Sequence, residues 1–216
     1  MHIPDGFLDA KTWMTTAAIS TGVLGYSVMK TKQELNDRQI PRLGVMAAFI
    51  FAAQMINFPV VGGTSGHLLG AALATILLGP WSASIVLSTV LIIQCLVFQD
   101  GGLTALGANI LNMSIIGVFV AQVVYRLLSR LSSRKWTVAL ASFSASWLSV
   151  MITAGVTAVE LALSNRIPLE VGLSAMLGVH ALIGIGEGVI TSAVVLAVSS
   201  VGFSSSWLER GEAYNE

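Results

Sequence analysis

Charged residues are scarce in this 216-residue chain: they make up 10% of it, whereas hydrophobic residues make up 55%. An ordinary soluble domain carries about 25% charged residues, so this composition, with a mean hydropathy of +0.81, predicts a membrane protein. The net charge is zero, which argues against nucleic acid as a partner. The single cysteine, Cys95, excludes an internal disulfide and is expected to pack as a small hydrophobic residue.

The sequence also lacks an export signal and a nucleotide-binding loop. Asp5 and Asp9 precede the first basic residue, Lys11, and the first apolar stretch is long, whereas a cleaved signal has a basic start and a short apolar core. We therefore expect an uncleaved first helix. No G-x-x-x-x-G-K-[ST] loop occurs, so energy from ATP must come from another protein.

Seven apolar stretches predict helices, and they cover residues 12–29, 43–58, 68–78, 81–98, 103–128, 136–163 and 169–200. Because about 20 apolar residues cross the hydrocarbon core of a bilayer, six of them are long enough or nearly so. The third is short and, taken alone, is equally consistent with a re-entrant or buried helix. Gly79-Pro80 predicts a compact stop after this third helix and the start of the next.

The basic residues decide how often the chain crosses. With seven crossings, nine of the eleven basic residues fall on one side, opposite Lys11 and Arg166; these nine are Lys30, Lys32, Arg38, Arg42, Arg126, Arg130, Arg134, Lys135 and Arg210. Basic residues concentrate on the cytoplasmic side of membrane proteins. The sequence therefore predicts an all-α polytopic membrane protein, a single domain (1–216) of seven transmembrane helices with the N-terminus outside and the C-terminus cytoplasmic.

One of only three histidines follows the first residue of the chain. The Met1 amine, the His2 amide nitrogen and His2 Nδ1 can close two adjacent chelate rings on one divalent metal, which places three nitrogens nearly in a plane. Planar nitrogen donors favour Ni(II) or Cu(II). The alternative is a solvated, frayed terminus.

His67 is the predicted fourth nitrogen donor. It lies on the same predicted side of the membrane as residues 1–9, at the end of an outer loop (59–67) in which Gly62, Gly63 and Gly66 allow the backbone to bend closely around a ligand. The predicted metal ligands are therefore Met1, His2 and His67.

Four other polar residues are candidates for supporting these ligands. Asp100 and Asn109 are predicted partners for the second ring nitrogen of His67, and Asn112 lies one turn after Asn109 on the same helix face. Hydrogen bonding between helices is the alternative role for the asparagines. His180 shares a helix face with Glu187, and a buried polar pair is favoured there over metal contact.

Four motifs give the chain a resemblance to a known family: "MHIPDGF" at the start, "GGTSGHLLGA" around His67, "FQDGGLTALGANILNM" from Phe98 and "HALIGIGEG" from His180. They resemble the nickel and cobalt substrate-binding membrane subunits, of the NikM and CbiM type, of energy-coupling factor (ECF) transporters. The resemblance covers nearly the whole chain. It implies metal ligation by the amine of Met1, the amide and imidazole of His2, and His67.

The resemblance also implies partners and a place in the cell. The partners would be a transmembrane scaffold subunit and two cytoplasmic ATPase subunits, with an additional small membrane subunit as a further candidate, in the cell membrane of a prokaryote. The cargo would be Ni(II) or, as the alternative, Co(II) for cobalamin synthesis. An organic vitamin as cargo and an intramembrane metalloenzyme are weaker alternatives, because few outer aromatic residues are present and H-E-x-x-H is absent. We therefore expect no enzymatic activity and no catalytic cofactor.

Overall fold

The computed structural model describes residues 1–35, 39–60, 64–132 and 134–201. Within these ranges the chain forms seven helices and one short antiparallel sheet: α1 (Ala10–Glu34), α2 (Ile40–Gln54), β1 (Phe58–Val60), β2 (Thr64–Gly66), α3 (Ala71–Leu78), α4 (Pro80–Phe98), α5 (Leu106–Ser129), α6 (Lys135–Leu163) and α7 (Leu169–Ser200). Helix α5 contains a π-helical segment, Ile110–Ile116. Gly62, Gly63, Arg38 and Arg210, on which parts of the prediction depend, lie outside the described residues.

Local signals in the sequence explain two helix boundaries near the site. The Asp9 side chain accepts a hydrogen bond of 2.7 Å from the Thr12 amide and caps α1. Gly79 has φ of 84°, which only glycine adopts readily, and it ends α3 directly before Pro80 opens α4. The predicted stop and restart at Gly79-Pro80 is therefore confirmed.

Four of the seven helices in the described ranges, α4 to α7, are long and apolar enough to cross a membrane. Helix α2 is apolar but has 15 residues, and α3 has only eight, which is about 12 Å of helix against a hydrocarbon core of about 30 Å. The prediction of a helix over 68–78 is wrong for its first part, because residues 67–70 are not helical. The number of helices agrees with the prediction, but not every helix has the length of a span.

Small and hydroxyl-bearing side chains line the contacts between helices. The Ser20 hydroxyl of α1 donates to the Gly107 carbonyl of α5 (2.7 Å), and the Ser149 hydroxyl of α6 donates to the Gly117 carbonyl (2.8 Å). A Cβ atom added at Gly107 would lie 2.4 Å from Ala17 Cα. The start of α5 therefore packs directly on the backbone of α1, as small residues allow in membrane helices.

Gly107→Ala is expected to destabilise the protein by about 1–3 kcal/mol, because the added methyl group overpacks this backbone contact. The measurement is the melting temperature of the purified protein in detergent. Gly25→Ala is the matched control, because a Cβ atom at Gly25 in α1 meets nothing within 4 Å. Equal melting temperatures for the two variants would contradict the close approach of α1 and α5.

Candidate metal-binding site

The amino terminus is buried inside the helix bundle. Met1 and Ile3 have no exposed surface and His2 is 4% exposed. The Ile3 amide donates to Asn109 Oδ1 (2.8 Å), while the Ile3 carbonyl accepts from Asn109 Nδ2 (3.1 Å) and from the Gly102 amide (2.9 Å). These bonds hold the third residue from both sides. The third residue thus helps to fix the first two residues in the protein.

Asp5 fastens the outer part of the same segment. Its carboxylate accepts hydrogen bonds from the Leu103 amide (3.0 Å), the Thr104 amide (2.7 Å) and the Thr104 hydroxyl (2.6 Å), and the bonds from Thr104 lower the pKa of the Asp5 carboxyl group. Gly102 allows the close approach, since a Cβ atom there would lie 2.3 Å from the Asp5 amide nitrogen.

The His2 ring lies between Gln94, Asp100 and His67. Its Nε2 atom is 3.2 Å from Gln94 Oε1 and its Nδ1 atom is 3.2 Å from Asp100 Oδ1. The His67 ring stacks on it, with centroids 4.6 Å apart and planes inclined by 25°. When Nε2 carries the proton and donates to Gln94, Nδ1 keeps a free lone pair. The structure therefore brings Met1, His2 and His67 together.

The His67 ring is oriented by the backbone of the next residue. Its Nδ1 atom donates to the Leu68 carbonyl (2.8 Å), so the expectation that Asp100 or Asn109 would orient this ring is wrong. Asp100 lies against His2 instead, and Asn109 holds Ile3. The buried Nε2 atom of His67 has no hydrogen-bond partner among the described residues. A buried nitrogen with an unused lone pair is available to a ligand.

The backbone of the non-helical residues after His67 forms hydrogen bonds with the side chains of distant residues. Gln54 Nε2 donates to the Leu69 carbonyl (2.8 Å), and the Glu187 carboxylate accepts from the amides of Leu69 and Gly70. Irregular backbone within a membrane protein needs such internal partners. Because these contacts join residues far apart in the chain, no local sequence pattern indicates the roles of Gln54 and Glu187.

The remaining candidates hydrogen-bond to residues outside the proposed ligand set. Asn112 Nδ2 donates to Glu160 Oε2 (2.6 Å) and to the Thr157 hydroxyl (3.3 Å), so this asparagine links α5 to α6. Glu160 is 6% exposed, so this link is buried. His180 Nδ1 donates to the Met176 carbonyl (2.7 Å), whereas Glu187 accepts from Leu69 and Gly70, so the polar pair favoured for His180 and Glu187 is not formed. Asn112 thus makes the interhelical contact that was considered as its alternative role.

Burial keeps the clustered nitrogens uncharged. It lowers the pKa of the Met1 amine well below its usual value, against the opposing effect of Asp100. Burial lowers the pKa of His2 to about 3 and that of His67 well below its usual range, and the charge that the amine carries when protonated is the second cause in both cases. Burial also raises the pKa of Asp100. At neutral pH the amine and both imidazoles therefore present lone pairs and no proton competes for them.

The described part of the chain holds no group of three or more histidine, cysteine, aspartate or glutamate side chains placed to bind a metal ion. A metal site here needs main-chain nitrogen as well as side chains. The Met1 amine and the His2 amide lie beside the His2 ring, since both nitrogens and His2 Nδ1 are within 3.5 Å of the Ser65 hydroxyl oxygen.

The fold and the buried amino terminus define a polytopic helical membrane protein with a polar, nitrogen-rich centre. The chain belongs to the CbiM family, the cobalt uptake substrate-specific transmembrane region, whose model matches residues 2–204. The predicted resemblance to the NikM and CbiM type is therefore confirmed.

Individual relatives agree with this assignment. The chain is 43% identical to a putative fused nickel transport protein NikMN of Archaeoglobus fulgidus over 93% of its own length and 66% of the relative. It is 38% identical to a putative metal transport protein of Haloquadratum walsbyi over 93% and 90% of the two chains. A crystal structure of a transition metal transporter superposes with a TM-score of 0.86 at 37% identity, covering 93% of each chain. The chain thus spans about two thirds of the fused relative.

Asn109→Ala is expected to release the amino-terminal segment, because both hydrogen bonds to Ile3 are lost. Hydrogen exchange of the amides of residues 1–9 should increase about tenfold or more, relative to the amides of α4. Asn112→Ala is the control, since it removes a buried asparagine of the same helix that bonds Glu160 and not the terminus. If both variants exchange alike, Asn109 does not anchor the segment.

Proposed function

We propose that this protein captures a divalent transition-metal ion at the outer face of the membrane for uptake into the cell. The preferred ion is Ni(II), and Co(II) is the alternative. The observation that carries the proposal is the convergence of the Met1 amine, the His2 amide and imidazole, and His67 in one buried place. The homologues are nickel and cobalt transport proteins by name, which supports a role in metal uptake.

The geometry supports binding of one ion by four nitrogens. Imidazole nitrogen binds a metal such as zinc at about 2.0–2.1 Å, so two imidazoles on adjacent positions of one ion would have centroids about 4.5 Å apart. The His2 and His67 centroids are 4.6 Å apart. With the amine and amide completing the set, the proposed site is square-planar, which favours Ni(II) over Zn(II), Mg(II) or Ca(II).

We propose a seven-crossing topology with the amino terminus outside. The biased distribution of basic residues supports it. Four helices have the length and hydropathy of membrane spans. The remaining crossings would be made by α1, by α2, and by α3 with the non-helical residues before it. The ion would reach the site from outside the cell, in the cell membrane of a prokaryote; the relatives from Archaeoglobus fulgidus and Haloquadratum walsbyi come from such organisms.

We propose that the protein acts with other subunits and has no enzymatic activity. Its sequence has no phosphate-binding loop for ATP, so uptake against a gradient would need the scaffold subunit and two ATPase subunits of an ECF importer. The metal is then cargo and not a catalytic cofactor.

Cobalt is the second candidate cargo. The description of the matched family names cobalt uptake. A relative from Methanococcus voltae, 34% identical over 78% of this chain, is named a putative cobalt transport protein. Titration of the purified protein with each ion distinguishes the two, with tighter Ni(II) binding expected for a planar nitrogen site.

Acetylating the Met1 amine, or placing Gly-Ser-Gly before Met1, is expected to weaken Ni(II) binding by more than about a hundredfold. Disturbing only the partner of a metal ligand costs about 10–100-fold, and these changes remove a ligand. Three residues are added because a single one would place the histidine third, where a new planar chelate can form. The measurement is isothermal titration calorimetry, with the same extension after Glu216 as the control. Undiminished affinity in the blocked protein would refute the proposed donor set.

His67→Ala is expected to weaken Ni(II) binding by about a hundredfold or more while the protein still folds. His180→Ala is the matched control, because His180 is also a fully buried histidine with an unpartnered Nε2 atom. We expect His180→Ala to lower the melting temperature and to change affinity little. Equal loss of affinity in both variants would mean that His67 has no special role.

Nickel affinity is expected to rise about tenfold per pH unit between pH 6 and pH 8. The His2 amide must lose its proton to bind the metal, whereas the lowered pKa values leave the amine and both imidazoles already unprotonated in the empty protein. If the amine were exposed and had a pKa near 8, Ni(II) binding below that pH would release a second proton. Calorimetry in buffers of different ionisation enthalpy counts the protons, and release of two or more would contradict this account.

A further inference from the structure

Ser65 lies in front of the three nitrogens at the start of the chain. Its hydroxyl oxygen accepts hydrogen bonds from the Met1 amine (3.1 Å) and the His2 amide (3.2 Å), and it is 3.5 Å from His2 Nδ1. The same three atoms are the first three donors of the proposed metal site. No sequence pattern singles out Ser65, because serine is a poor metal ligand and this one lies far from Met1 along the chain.

The hydrogen bond from the His2 amide uses the proton that the metal must replace. An amide N–H bond points along the direction in which the deprotonated nitrogen holds an ion. The Ser65 oxygen, which accepts this N–H at 3.2 Å, therefore lies on the side of the nitrogen where an ion would bind at about 2.0–2.1 Å. While the nitrogen donates its proton to the hydroxyl it cannot hold the ion, so the hydroxyl and the ion compete for it.

We propose that the Ser65 hydroxyl stands in the place of the metal ion in the empty site and competes with the ion for the His2 nitrogen. On binding, the His2 amide proton leaves to solvent and the hydroxyl turns to another rotamer. On release, the nitrogen regains a proton from solvent and bonds Ser65 again. Ser65 thus weakens metal binding and speeds release, which a protein that must deliver its cargo requires. This inference rests on the proposed function.

The rest of the segment stays anchored without the hydroxyl. The backbone carbonyl of Ser65 accepts another hydrogen bond from the Met1 amine, and Ile3 is held by Asn109 and Gly102. Strand pairing places Ser65 opposite Pro59. Removing the hydroxyl therefore removes a competitor of the ion and leaves the donors in position.

Ser65→Ala is expected to bind Ni(II) about tenfold more tightly and to release it about tenfold more slowly to an excess of chelator, since the hydrogen bonds of the hydroxyl to the Met1 amine and the His2 amide are lost from the empty state only. The absorption bands of bound Ni(II) should not change, because the hydroxyl is not a ligand. Ser65→Gly, which also lacks the hydroxyl, serves as a second variant. Thr64→Val is the control, because the Thr64 hydroxyl contacts the Met176 sulfur, and it should match the wild type.

Several results would overturn this role of Ser65: weaker or unchanged Ni(II) binding in Ser65→Ala, a changed absorption spectrum, or the same effect in Thr64→Val. The protein with an acetylated amine is measured alongside. If blocking the amine leaves binding intact, the proposed donor set fails and the inference fails with it. If blocking abolishes binding but Ser65→Ala binds no more tightly than the wild type, only the role of Ser65 is refuted.

Discussion

The interaction on which the site depends is the pair of hydrogen bonds between Asn109 and the backbone of Ile3. Burying a chain terminus costs conformational entropy and desolvates the amine, so the terminal segment stays in place only if other bonds offset these terms. The bundle supplies them at the third residue and, through Asp5, at the fifth. Because these anchoring bonds are made at the third and fifth residues, the Met1 and His2 nitrogens lie near Ser65 and the His2 ring.

A second constraint follows from placing His67 on non-helical backbone. Within a bundle of apolar helices, every unpaired amide or carbonyl needs an internal partner. Gln54 and Glu187 are buried polar residues that meet this need at Leu69 and Gly70. Their role is therefore to hold the main chain that carries His67. This explains why buried polar residues at the end of α2 and inside α7 are compatible with an apolar protein.

Sequence patterns predicted those features that depend on neighbours along the chain. Helices α4 and α7 begin and end within one residue of the apolar stretches, and Gly79-Pro80 marks a boundary through backbone geometry alone. The pairing of His2 with His67 was predictable because both were assigned to the same side. The non-helical backbone of residues 68–70 was not, since an apolar stretch looks the same whether its backbone bonds to itself or to Glu187. Gln94, Ser65 and the contact of Asp100 with His2 depend on packing between distant residues, which one sequence does not encode locally.

A site built from the first two residues selects its ion differently from a cluster of side chains. Two of the four proposed donors are main-chain nitrogens, and one of them has to lose an amide proton before it can bind. Hard ions such as Mg(II) and Ca(II) prefer oxygen and offer little to drive that loss, whereas Ni(II) forms strong planar bonds to nitrogen. On this proposed donor set, selectivity would arise from the ability of an ion to displace the proton of the His2 amide, and not from the size of a cavity. The hydrogen bond of that amide to Ser65 in the empty protein adds to the cost that every ion has to meet.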